Sequence, residues 1–165
     1  MIKSVNNDKV QLCTFLINKQ LFAIDIKYIK EVNPNLNIFS VPSAPEYVKG
    51  LLNVRGRIVM IIDVAVKFGK KSIHITKQCH NIILKNYSEL QKVSGIELTA
   101  EHKLMGDFSI GFIVEEVFDI LEFNSNEILP TPAHLSEIDS KYINGVIKFK
   151  DKLLLVLNSS NIVLQ

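Results

Sequence analysis

Residues 47–64 read YVKGLLNVRGRIVMIIDV, two apolar runs on either side of a charged break. Leu51, Leu52 and Val54 form the first run, and Ile58, Val59, Met60, Ile61 and Ile62 form the second. Both are too short for helices and rich in β-branched residues, which predicts two strands. Between them Arg55, Gly56 and Arg57 make a tight turn, and Gly56 supplies the positive φ that hairpin turns favour. The second run is almost continuous, the pattern of a strand covered on both faces.

The run has an echo. At a shift of 95 positions Tyr47 falls on Tyr142, Gly50 on Gly145, Val54 on Phe149, Arg55-Gly56-Arg57 on Lys150-Asp151-Lys152, and Asp63 on Asn158. At a shift of 88, residues 22–26 fall on 110–114, Ile29 on Val117, and Val41-Pro42 on Leu129-Pro130. A longer loop after Pro130 accounts for the difference, and the chain reads as two related β units.

Bulk composition sets the limits. A chain of 165 residues can bury roughly 70% of its unfolded surface without a metal or disulfide. Nineteen basic and 17 acidic residues are dispersed along it, for a net charge of +2. That is not the clustered basic face of a nucleic-acid binder. No apolar run approaches the ~20 residues of a membrane span, and residues 1–9 lack a signal-peptide core. The expected location is the cytoplasm, with no direct insertion into a membrane. Cys13 and Cys79 form no CxxC pair, and Cys13 reads as a buried thiol.

Elsewhere the pattern is of short strands and turns. Residues 11–18 and 21–26 read as strands around an Asn18-Lys19-Gln20 turn, with Ala23 small where bulk would clash. Residues 87–107 are polar and weakly periodic, a length of loop that is functional or disordered when it occurs in a compact domain. Ser159-Ser160-Asn161 is a candidate cap for a stunted last helix.

Little here speaks for catalysis. His74, His80, His102 and His134 show no HxxxH or HExxH spacing, and GxSxG, GxxxxGK[ST] and GxGxxG are absent. No cofactor or metal is expected. Asp25 and Asp63 end apolar strands and are the one candidate carboxylate pair, with strand-end capping the favoured reading. Arg55 is either a solvated turn cation or an arginine pinned by a carboxylate, for which Glu31 is the candidate. Removing one member costs about 3–5 kcal/mol if the pair is partly buried, by stranding the other charge, and about 0–1 kcal/mol if it is exposed.

The residues FAIDI (22–26), IKEV (29–32), VP (41–42) and PEYVKGLLNVRGRIV (45–59), with IIDV (61–64), resemble CheW, the chemotaxis coupling family. The N-[LV]-R-G hairpin at 53–56, with Gly50 before it and Asp63 after it, is the specific part. The likeness continues through GFIVEEVFDIL (111–121), ILPTP (128–132) and YINGV (142–146). It implies an all-β fold of two side-by-side five-stranded SH3-like barrels, with short helical turns and a truncated C-terminal helix. The expected domain is 11–165, with one subdomain at about 20–76 and the other at about 77–158, completed by strand 11–18.

The implied role is a non-catalytic adaptor joining chemoreceptor tips to the regulatory domain of the histidine kinase CheA, and joining other CheW-like proteins in rings. Receptor or kinase binding falls, by the resemblance, on Ile29, Glu31, Gly50, Asn53, Arg55, Gly56, Val117 and Ile120. Glu31 and Arg55 match a salt-bridged pair, and Val117 and Ile120 match an apolar receptor groove. A CheW-like adaptor of another kinase pathway, such as surface motility, and a β-barrel binding module of unrelated role are the alternatives. The chain departs from the pattern at Met60, where a proline is usual, and in the long loop 87–107. It also departs at Leu129 and His134, where relatives carry an arginine and an aromatic used in ring contacts, and in its short last helix.

Overall fold

The computed structural model describes residues 8–133 and 138–164. Within them, ten strands form two five-stranded sheets. The strands are β1 (Lys9–Ile17), β2 (Gln20–Asp25), β3 (Ile29–Asn33), β4 (Val48–Val54), β5 (Arg57–Asp63), β6 (His80–Leu84), β7 (Ile110–Val114), β8 (Glu116–Asn124), β9 (Ile143–Phe149) and β10 (Lys152–Leu157). One sheet runs β3-β6-β7-β5-β4 and the other β8-β1-β2-β10-β9. The fold is the expected all-β, SH3-like pair.

Three hairpins turn on two residues that both have positive φ: Asn18-Lys19, Arg55-Gly56 and Lys150-Asp151. Such turns match the twist of the strands they join. Only one of the three uses glycine, so the strands hold five other residues in a conformation they rarely choose.

Hydrogen bonds show the duplication directly. The Asp63 N–H donates to the Tyr47 carbonyl at 2.7 Å, and the Asn158 N–H to the Tyr142 carbonyl at 2.8 Å. In the parallel ladders Met60 pairs with Ile110 and Ile61 with Gly111, while Leu155 pairs with Phe22 and Val156 with Ala23. These are the same contacts at shifts of 95 and 88. Ala23 is fully buried. At Gly111 a Cβ would stand 3.1 Å from the Ile61 side chain and 3.2 Å from the Ile82 carbonyl, so both positions demand a small residue. One equivalence moves. Phe39 bridges Leu51 as Leu129 bridges Val146, so Phe39, rather than Val41, is the counterpart of Leu129.

The subdomain boundaries at 20–76 and 77–158 need correction. Strand β2 lies in the sheet of β8, β9 and β10, and β6 and β7 lie in the sheet of β3, β4 and β5. The two repeats exchange their first hairpins, β1–β2 for β6–β7. A repeat boundary along the chain is therefore not a sheet boundary in space. Strand β1 sits between β8 and β2.

Strands β2 and β10 of the second sheet are buried on both faces. Phe22, Ile24, Leu155 and Leu157 face the large core shared with the first sheet, which also holds Phe15, Leu52, Ile61 and Phe112. Ala23, Leu154 and Val156, between them in sequence, face a smaller core with Leu12 and Ile147. Side chains alternate across a strand, so two cores require unbroken apolar runs such as LLLVL at 153–157.

Short helices fill the connections: α1 (Val64–Lys67), α2 (Tyr87–Leu90), α3 (Ala100–Met105) and α4 (Ser159–Leu164). The loop 87–107 is thus ordered around α2 and α3. Asn86 and Glu89 form a reciprocal capping box on α2. His102 of α3 stacks on Tyr28, ring centres 5.7 Å apart. Helices of four and six residues leave too little periodicity to be read in advance. At α4 the capping oxygen belongs to Asn158, which accepts from the Asn161 N–H at 3.2 Å, one residue before the expected cap. None of these helices is long and apolar enough to cross a membrane.

Candidate docking site

Glu31 of β3 and Arg55 of the β4–β5 turn form an ion pair. Strands β3 and β4 are the two edges of their sheet, so the pair closes the gap between them. The Arg55 side chain is 75% exposed and Glu31 19%. The pinned reading is therefore the observed one, with the arginine largely in water and the carboxylate partly buried. Glu31 is also fixed from the side, since Asn33 Nδ2 donates to its Oε1 at 2.8 Å. A β-bulge between Ile29 and Glu31 sets their register against β6. At the tip, Asn53 Oδ1 accepts from the Gly56 N–H at 2.9 Å and braces the turn.

Gly50 lies near the start of β4, opposite Ile61. Its φ is +149°, and a Cβ there would stand 2.8 Å from both the Phe39 carbonyl carbon and Ile38 Cγ2. Only glycine lets the 38–39 segment cross β4 and exchange two 2.8 Å backbone bonds with Leu51.

The structure gathers Glu31, Asn53, Arg55 and Gly56 at one end of the first sheet, and places Gly50 further along β4 against Ile38 and Phe39. Ile29, at the start of β3, is half-buried against the large core. Val117 and Ile120 lie on β8 in the other sheet; Val117 packs on the large core and Ile120 is 56% exposed. Leu129 is exposed while its backbone bridges Val146. His134 lies outside the described residues. Asp25 and Asp63 each have a local task. Asp25 accepts from the Lys27 N–H. Asp63, fully buried, accepts from Ala65 N–H, Ser72 Oγ and Ile73 N–H. These are the caps the sequence favoured.

Three further residues complete the network. Glu89 of α2 pairs with Lys30 and lies 3.9 Å from Arg57. Burial opposes its charge, but Lys30, the Asn86 N–H and Arg57 outweigh that and hold its carboxyl below the ordinary value. With Glu31 and Arg55 they line one cavity of about 250 Å³, whose wall includes Val59 and Ser109. Arg57 was in view beside Arg55 in sequence. Glu89 was not, because 59 residues separate it from Lys30 and it sits in a polar stretch with no pattern.

Met60 also finds a use. Its N–H donates to the Ser109 carbonyl at 2.9 Å, extending the β5–β7 ladder by one bond. A proline has no such donor. The departure at Met60 thus acts in a central strand, and meets a residue just past the insertion.

Two interleaved SH3-like sheets around a shared core, carrying a charged hairpin tip, define a duplicated β-barrel scaffold domain. The chain belongs to the CheW-like domain family, whose model matches residues 11–165. It is 26% identical over 157 residues to the chemotaxis protein CheW of Treponema pallidum, covering 94% of this chain and 82% of that protein. It is 26% identical to CheW of Thermotoga maritima, covering 93% and 87%. Among solved structures, the scaffolding protein TtCheW of Thermoanaerobacter tengcongensis superposes with a TM-score of 0.73 at 23% identity, covering 96% of this chain and 90% of that one.

Proposed function

We infer that this chain is a non-catalytic chemotaxis adaptor that couples chemoreceptor tips to a CheA-type histidine kinase in the cytoplasm. The single observation that carries the reading is the Glu31–Arg55 pair, closing its barrel at an exposed hairpin tip within a CheW-like fold. The docking residues are Ile29, Glu31, Asn53, Arg55, Gly56, Val117 and Ile120, with Gly50 acting on the backbone where the 38–39 segment crosses β4. A receptor tip is a helical hairpin, and half-buried or exposed apolar side chains such as Ile29, Val117 and Ile120 suit the apolar face of a helix. Contacts with other CheW-like proteins belong to the same reading.

The test is a reconstituted coupling assay with receptor fragments and CheA from the same cell. Added protein is expected to raise receptor-dependent kinase autophosphorylation, and Arg55→Ala to lose that stimulation. No stimulation at saturating protein contradicts the reading.

A further inference from the structure

The charged cavity holds Lys30, Arg55 and Arg57 against Glu31 and Glu89, three cations for two carboxylates. Glu89 is divided between two duties. Its Oε2 accepts from the Asn86 N–H at 2.9 Å, which caps α2. Its Oε1 faces Lys30 closely and Arg57 only at 3.9 Å. Arg57, 64% exposed, therefore has a weak hold on its carboxylate and donors turned to solvent. Glu89 itself is presented by the segment between β6 and β7, tied at its base by Tyr87 N–H to the Gly106 carbonyl at 2.9 Å and Ser88 Oγ to Asp107 Oδ1 at 2.6 Å. An internal carboxylate thus stands beside the arginines of the docking tip.

We propose that Glu89 is an internal competitor at this site, and that the cavity receives an acidic side chain of the helical partner, which takes Arg57 from it. The inference rests on the adaptor reading above. It makes the segment 86–108 a selectivity element: only a partner whose carboxylate reaches Arg57 recovers the charge pairing that Glu89 supplies in the free protein. Charge at such a rim acts on association rate and salt dependence as well as affinity.

The substitutions separate this role from a structural one by sign. Glu89→Gln removes the charge and keeps the shape, and glutamine serves equally in a capping box. Calorimetry is run with the full chain against a receptor-tip fragment from the same cell, at low and moderate salt. Glu89→Gln is expected to bind about twofold to fivefold tighter than the unaltered protein, with a steeper salt dependence. Arg57→Gln is expected to bind more weakly, and the double variant to show none of the Glu89→Gln gain. Changing the acidic residues of the tip to amides should also remove that gain. A Glu89→Gln protein of unchanged Tm that binds no tighter, while the unaltered protein binds, overturns the competitor role alone. An unaltered protein that does not bind the tip at all overturns the adaptor reading and this inference with it.

Discussion

Glu31 and Arg55 join the two edge strands of one sheet, and they do so where Arg55 adopts a φ of +50° at the hairpin tip. The turn, the ion pair and the Asn53 brace fix the direction of a side chain that remains largely in water. Such an arrangement contributes little to folding and much to shape. Glu31→Ala leaves the arginine in water and should change unfolding free energy by only about 0–1 kcal/mol, whereas Arg55→Ala leaves a partly buried carboxylate without its partner and should cost more. Both should weaken receptor binding more than kinase binding. Denaturant unfolding beside calorimetry checks the pair of statements, and a large stability loss with unchanged receptor binding would reverse them.

Gly50→Ala should act oppositely, on folding first. A side chain at φ +149° meets the Phe39 carbonyl carbon and Ile38 Cγ2 at 2.8 Å. Backbone strain of this kind costs about 1–3 kcal/mol before any displacement of Phe39 is counted. Gly56→Ala, at φ +81° with nothing near its Cβ, should be the milder change. Thermal unfolding of the two variants side by side tests the order.

Met60→Pro tests whether the β5–β7 ladder has been rebuilt to suit the insertion. It removes the donor to Ser109 O and leaves that carbonyl without its N–H. The expected cost is about 1–3 kcal/mol, with faster amide exchange along residues 109–112. A stable Met60→Pro protein with unchanged exchange would show the bond to be dispensable.

The insertion should loosen in acid. Burial holds the His102 imidazole below its ordinary pKa, and the neighbouring Glu101 offsets this only in part. Tyr28 stacks on the ring, and Glu97 shares its cavity. The unfolded chain then binds the proton more readily than the folded one. The contribution to stability is full above the unfolded histidine pKa, near 6.5, and declines as pH falls below it toward the depressed folded value. Imidazole chemical shifts read alongside amide exchange across residues 97–106 give the check. An insertion equally protected on both sides of that pH range would contradict it.

What the sequence revealed and what it withheld follow from range. The hairpin at 47–64, the repeat at shifts of 95 and 88, and the smallness of Ala23 are local patterns of alternation and turn chemistry, and the registers reproduce them. The Glu31–Arg55 pair was legible only as an alternative, because periodicity cannot say which sheet edges meet. The exchange of hairpins was hidden because either assignment of β2 and β6–β7 buries the same apolar residues. The helices of residues 87–107 are too short to show a period, and Glu89 reaches Lys30 through that segment. Val117 and Ile120, matched by resemblance, stand on a different sheet from the ion pair.

The central claim is that this protein couples two partners, and calorimetry tests it most directly. The protein is titrated with the regulatory domain of CheA from the same cell, and then with a receptor-tip fragment. The account predicts binding to both, with Arg55→Ala losing the receptor and keeping the kinase. Binding to neither partner by the folded protein would contradict it.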